Sequence, residues 1–329
     1  MKTQRTYWHL QGLERKPNDY DIAASKLLYY PARDFEVSTP IARWYERYQR
    51  ASLLRLPDWD LFRDPRETTY RKYTELQKKR ETYVDGLLAS IDETQADAQL
   101  SSSCIELLEA VLPVLRFPVH GLQMVAAYVG QMAPGGRIVL ANLFQSADEI
   151  RRIQRIAYRM CQLKSVKADF GAASKTAWEE DDRWQPLREV MERLLVTYDW
   201  SEAFVACDLV LKPAFDDVFM IHYGDVLATH GEFAQPRILR SLYEDCRWHE
   251  DWAMALAATL VTADAANADF IAEVGERWRG PVTDAIAAVE PVFGKPDATG
   301  DLEPVRNRVE RTLDRLWRDL KDVQAWNDT

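Results

Sequence analysis

Cysteine is scarce and scattered in this chain. Cys104, Cys161, Cys207 and Cys246 are the only four, and no Cys-x-x-Cys occurs. Zinc-ribbon and thioredoxin-like sites are excluded at motif level. The signatures G-x-x-x-x-G-K-[ST], G-x-G-x-x-G and G-x-S-x-G are absent as well, which removes P-loop, dinucleotide-fingerprint and nucleophile-elbow readings. Five histidines, His9, His120, His222, His230 and His249, form no His-x-x-x-His. No apolar run reaches the roughly 18 residues of a membrane span, and Met1 to Leu10 lacks the apolar centre of a secretory signal. Basic residues are in deficit, 42 against 52 acidic, for a formal charge of −10. That balance argues against non-specific nucleic-acid binding. Dispersed cysteines without a signal lead to the expectation of a reducing cytoplasm.

Glycine and proline are also few, 13 and 15 in 329 residues, while 47% of the chain is hydrophobic. The pattern is helical throughout, with no sustained strand alternation. Tyr70, Tyr73, Leu76, Tyr83, Leu87 and Ile91 recur at three, four and seven, after an apparent start at Asp64-Pro65. A second helix opens near Ser101, with Pro113 and Pro118 expected to kink or split it. It stops at Ala133-Pro134-Gly135-Gly136. A third runs from about Ile138 to Leu163, with Phe144, Ala147, Ile150, Ile153, Ala157 and Met160 as its expected buried face. Residues 164–181 read as a loop. Further helices are expected over 186–198, over 200–223 with a break at Pro213, over 236–262, over 267–289 and over 304–326. Long helices with short connections predict an all-α bundle.

Residues 1–65 differ. They hold five of the prolines and nearly a third of the aromatics: Tyr7, Trp8, Tyr20, Tyr29, Tyr30, Phe35, Trp44, Tyr45, Tyr48, Trp59 and Phe62. A solvated tail is poor in aromatics. These rings must pack either on the chain's own domain or on a second subunit, where Tyr and Trp are enriched. The expected organisation is an extended, partner-wrapping arm over 1–65 and a helical domain over 66–329. Tyr7, Trp8, Tyr20, Tyr29, Tyr30, Trp44, Tyr45 and Trp59 are the candidate interface residues. Removing residues 1–60 is expected to weaken assembly and leave the bundle folded.

Two stretches carry the chemistry. Carboxylate-bridged di-iron sites use Glu-x-x-His on each of two facing helices, plus a lone Glu from each of two others. The i, i+3 spacing sets both ligands on one helix face. Here Glu149 is followed by Arg152 where a histidine would bind, and His249 is preceded by Cys246 where a glutamate would bind. The lone-Glu positions fall near His120, where Phe117 to Tyr128 contains no acid, and near Lys212, where Leu211 to Phe215 reads Leu-Lys-Pro-Ala-Phe. An arginine stays protonated and cannot ligate iron. Glu149, Arg152, Lys212, Cys246 and His249 therefore read as the vestige of a metal site. Glu149 and Arg152 are expected to pair with each other, and with Lys212 and nearby acids, in the space the metals would fill.

The chain resembles the β subunit of the hydroxylase component of soluble di-iron multicomponent monooxygenases, nearest to the toluene and alkene/isoprene group. The residues carrying this are Arg5-Thr6-Tyr7-Trp8-His9-Leu10, Trp44-Tyr45, Asp58-Trp59 with Phe62-Arg63-Asp64-Pro65, Gln131-Met132-Ala133-Pro134, Asp199-Trp200-Ser201-Glu202-Ala203-Phe204, Lys212-Pro213, and His249 with Trp252. The resemblance implies a ferritin-like helical fold and an α2β2γ2 hydroxylase whose α chain holds the di-iron centre. It further implies an effector protein, a Rieske-type ferredoxin and an NADH reductase. The implied role is a non-catalytic structural subunit of an enzyme that oxidises aromatics or alkenes, with no catalytic, cofactor-binding or metal residue of its own. Glu149 is a departure, since such β chains need not keep an acid there. The alternative is a stand-alone ferritin-like metal-dependent oxidase using His249 with Glu244, Asp245 or Glu250.

Overall fold

The computed structural model describes residues 10, 12, 13, 15–25, 39–293 and 302–327. Every regular element among them is helical. In chain order these are α1 (Asp19–Ala24), α2 (Pro40–Tyr45), α3 (Tyr70–Thr94), α4 (Ser102–Val111), α5 (Arg116–Met132), α6 (Gly136–Leu163), α7 (Ser174–Glu180), α8 (Gln185–Leu195), α9 (Trp200–Phe204), α10 (Lys212–Asp216), α11 (Tyr223–Thr229), α12 (Ala234–Ala263), α13 (Ala265–Ala287) and α14 (Val305–Asn327). Two π-helical stretches, Val205–Leu211 and Asp217–His222, join α9, α10 and α11 into one rod. The rod is buried along most of its length; α12 and α13 pack around it, and α6 bonds to it through Gln145, Glu149 and Arg152.

Local chemistry sets most boundaries. Ser101 caps α4 and Thr69 caps α3, each accepting from a backbone N–H three residues on. Asp64 does not start α3, as the Asp-Pro pair suggests. Its carboxylate accepts from the backbone N–H groups of Arg66 and Thr68 and from the Trp248 indole at 3.0 Å, so it ties a turn to α12. Pro113 lies between α4 and α5, where its missing N–H costs no helix bond. Pro213 does not end the rod; it follows a widened π turn that accommodates it. The expected loop over 164–181 contains α7. Gly130 lets α5 and α6 close up, since a Cβ there would stand 2.8 Å from the Asn142 Cβ. By length and composition Ser102–Met132 would pass for a membrane span. Yet 61% of its apolar window is buried, and it is interrupted at Pro113 and packs on α6 and α8.

The described part of the arm packs on its own chain. Tyr20 is 2% exposed, and its hydroxyl accepts from the Asp64 backbone N–H. Tyr20 is therefore packed against its own chain. The Trp44 indole donates to Tyr128 Oη at 3.1 Å, Tyr45 Oη donates to the Gln131 carbonyl at 3.3 Å, and Trp59 meets Trp200 edge-on. Leu54 and Phe62 are fully buried in the main core. Residues 52–64 thus belong to the bundle. Deleting residues 1–60 is now expected to unfold part of it, because it removes Leu54 and the layer over Trp200. Circular dichroism melts of that truncation against one ending at residue 38 check this, with the longer deletion melting lower. Tyr7, Trp8, Tyr29, Tyr30 and Phe35 lie outside the described residues.

Candidate functional site

Helix α6 turns its charge inward. Gln145, Asp148, Glu149, Arg151, Arg152 and Arg159 are buried, while Leu143 is 56% and Ile150 44% exposed. The expected apolar inner face is only partly right. Phe144 and Met160 are buried, Ala147, Ile153 and Ala157 are half-buried, and Ile150 faces out.

The inward residues meet α10, α12 and α3 at the bundle centre. Arg152 Nε donates to Glu149 Oε2 at 2.6 Å, and its Nη1 donates to Asp216 Oδ1 at 2.6 Å. Lys212 Nζ donates to Glu149 Oε1 and to Asp216 Oδ2, both at 2.7 Å. Two cations and two carboxylates therefore form a closed, neutral quartet. Cys246 Sγ lies 3.4 Å from Arg152 Nη1. On one side, His249 Nε2 is 3.0 Å from Asp148 Oδ2, while Tyr73 Oη and Gln77 Nε2 donate to Asp148 Oδ1 at 2.8 and 2.7 Å. Asp245 accepts from Arg151 at 2.6 Å and pairs with Arg80. On the other side, Trp252 Nε1 donates to Gln145, and Gln145 Nε2 donates to Asp208 Oδ1 at 2.7 Å.

So the five positions read as a vestigial site do converge. Glu149, Arg152, Lys212, Cys246 and His249 line one cluster. His120 does not join it; it lies on the exposed face of α5. Asp148, Asp208 and Asp216 were not singled out by the half-site spacing. Asp216, one helical turn after Lys212, was the most accessible of these from sequence.

Electrostatics fix the charge states. Burial works against the Arg152 guanidinium, but Asp216 and the neighbouring acids outweigh it and hold it well above its ordinary range. Lys212 likewise overcomes burial and the Arg152 charge through Asp216 and Glu149, and its ammonium is held up. Burial alone would raise the Asp216 carboxyl; Arg152 and Lys212 bring it below the ordinary value. Burial, then the Lys212 and Arg152 charges, push the His249 imidazole far down, so it is neutral. Burial lifts Cys246, so it stays a thiol. Two acids go the other way. Burial pushes Asp148 and Asp208 up from 3.8 to about 7 each.

That upward shift has a definite sign. The folded chain holds these protons more tightly than the unfolded chain does. Their contribution to stability is full below about pH 4 and is lost as pH rises through about 7. Asp148→Asn keeps an acceptor for Tyr73 and Gln77 and removes the titration. The variant is expected to melt a few degrees above wild type at pH 8, with the gap closing by pH 5. Melting curves across that range check it, and a gap independent of pH would contradict it.

The donor set does not fit a metal. Two of the expected ligand positions carry the cationic side chains of Arg152 and Lys212, and the cysteine is held as a thiol. Among the described residues no three His, Cys, Asp or Glu side chains are placed to share an ion. The carboxylates that would balance iron balance Arg152 and Lys212 instead.

Comparison with known proteins agrees with this geometry. Residues 40–264 match the Methane/Phenol/Alkene Hydroxylase family. Over 294 residues the chain is 34% identical to the β subunit of the toluene-4-monooxygenase hydroxylase component of Ectopseudomonas mendocina, covering 87% of this chain and 89% of that one. This chain belongs to the methane/phenol/alkene hydroxylase family. A solved structure of toluene 4-monooxygenase, with toluene bound in its resting active site, contains a chain that superposes with TM-score 0.85 at 31% identity. It covers 90% of this hydroxylase-family chain and 99% of that one. The small subunit of the propane 2-monooxygenase hydroxylase of Mycolicibacterium smegmatis is 22% identical over 73% of this chain and 67% of its own length. A phenol hydroxylase chain from Pseudomonas sp. OX1 shares the fold at TM-score 0.82 and 17% identity, over 98% of this chain and 96% of its own. The bundle is thus the ferritin-like helical fold of the hydroxylase subunits.

Proposed function

We propose that this chain is the non-catalytic β subunit of a di-iron hydrocarbon monooxygenase hydroxylase. The observation that carries this reading is the closed ion quartet. Arg152 and Lys212 occupy the bundle centre and consume Glu149 and Asp216, leaving no open coordination position. Kinship with the toluene-4-monooxygenase β subunit supports it. So does the apolar outer stripe of α6, where Leu143, Ile150 and Tyr158 stand exposed; such a patch on a lone protein is a docking surface or an aggregation hazard. In this reading the di-iron centre and the substrate pocket lie in an α subunit, within an α2β2γ2 assembly. An effector protein, a Rieske-type ferredoxin and an NADH reductase serve it in the cytoplasm. Trp44, Tyr45 and Trp59, each half-exposed, join Tyr7, Trp8, Tyr29 and Tyr30 as the proposed arm contacts.

The test is co-expression with candidate α and γ chains, affinity capture on this chain, and iron measured per polypeptide. Iron in a larger co-captured chain and none in this one supports the reading. One or two irons on this chain alone would make it the oxidase itself. His249→Ala is expected to leave the iron content of the captured complex unchanged. Iron loss in that variant would return His249 to the metal.

A further inference from the structure

A cavity of about 10 Å3 adjoins the ion quartet, lined in part by Asp208, Lys212, Cys246 and His249. Its size is that of one water molecule. Two of these lining residues carry a polar atom with no protein partner in full hydrogen-bond geometry: Asp208 Oδ2, with the Cys207 thiol beside that carboxyl, and His249 Nδ1, which stands 3.9 Å from Glu149 Oε1. Both residues are at least nine-tenths buried. Leaving such buried atoms unsatisfied is costly, because their hydration is lost with nothing to replace it. A third group completes the site. The Lys212 ammonium has three N–H donors, and two are spent on Glu149 and Asp216.

We infer that this cavity is a binding site for one structural water, held by Asp208, His249 and Lys212. The water accepts from the third Lys212 N–H. It donates to Asp208 Oδ2 and meets His249 Nδ1. A water both donates and accepts, so it serves Nδ1 in either tautomer of the neutral imidazole. Three protein hydrogen bonds is the usual number for a buried water. The molecule joins two strings that otherwise end at the cavity wall. One runs from Tyr73 and Gln77 through Asp148 to His249, the other from Trp252 through Gln145 to Asp208. Helices α3, α6, α12 and the central rod are thereby tied into one polar network. Tyr243 and Glu250 line both this cavity and a groove of about 400 Å3 that Arg311 and Arg315 of α14 also line.

The test is a crystal structure of the assembled hydroxylase at a resolution that orders internal waters, with data also collected at the iron absorption edge. The expected result is one peak at hydrogen-bond distance from Asp208 Oδ2, His249 Nδ1 and Lys212 Nζ, with no anomalous signal. An empty cavity overturns the inference. A peak with anomalous signal overturns it too, and overturns the proposed β-subunit reading with it. An empty cavity leaves that reading intact, so the two failures are distinguishable.

Discussion

Lys212→Met lowers the melting temperature of the assembled protein by roughly 6–10 °C. Methionine replaces the aliphatic stem of lysine and removes the ammonium with its charge. Arg152 is then the only cation of the quartet, facing the Glu149 and Asp216 carboxylates, both buried. Breaking a buried pair by removing one partner costs about 3–5 kcal/mol, and a chain of this size loses about 2 °C per kcal/mol. The same reasoning names the rescue. Adding Glu149→Gln to Lys212→Met leaves Arg152 and Asp216 as a balanced pair. The double variant is expected to lose about 1–3 kcal/mol less than the sum of the two single losses, and that difference is the coupling energy of a double-mutant cycle. Differential scanning calorimetry of the four proteins measures both effects. A single variant that melts with wild type would mean the quartet is solvated and does not plug the bundle. Iron per complex is expected to stay constant across the series.

The quartet was legible in part because the i, i+3 arithmetic is local. Glu149 and Arg152 must share a helix face wherever that helix goes. Asp148 and Asp208 were not, because nothing in their own helices distinguishes a buried carboxylate from a solvated one. Their environment comes from Tyr73 and Gln77 of α3 and from Gln145 of α6, and Gln77 and Asp148 stand 71 residues apart in the chain. The helical class was readable from apolar spacing alone. Cap chemistry located the start of α4 at Ser101, but it misplaced the start of α3. Asp64-Pro65 looks like a cap and first turn, yet the Trp248 indole claims the Asp64 carboxylate. The packing of residues 52–64 on the bundle was hidden for a related reason. Prolines and aromatics describe residues 52–64 well, but only contact with Trp200 and Trp252 reveals that Trp59 and Phe62 close the core. On α6 the period was right, but only part of the expected face is inside: Phe144 and Met160 are buried and Ile150 faces out. Periodicity yields two faces, and it does not say which one meets solvent when the other holds a polar network.

The exposed side of that helix leads to the second large effect. Leu143→Asp combined with Ile150→Asp is expected to weaken capture of the larger subunit by on the order of 100-fold or more. Each substitution sets a carboxylate on a face that would be apolar and dry in the complex, and burying an unpaired polar group costs about 1–3 kcal/mol even on protein-derived scales. Two such losses, seven residues apart on one stripe, act on the same contact. The free chain is expected to tolerate both changes, because Leu143 and Ile150 are more than two-fifths exposed in it and neither touches the quartet. Equal helicity and equal melting of variant and wild-type chain, beside loss of co-elution, would place the effect at the interface. Unchanged co-elution would hand assembly to the aromatic arm, and would leave the exposed stripe of α6 to pair with something else. The two ends of the argument then meet in one helix. Its inner face holds the cations that close the bundle to metal, and its outer face presents the uncharged surface through which a subunit without iron would serve one that has it.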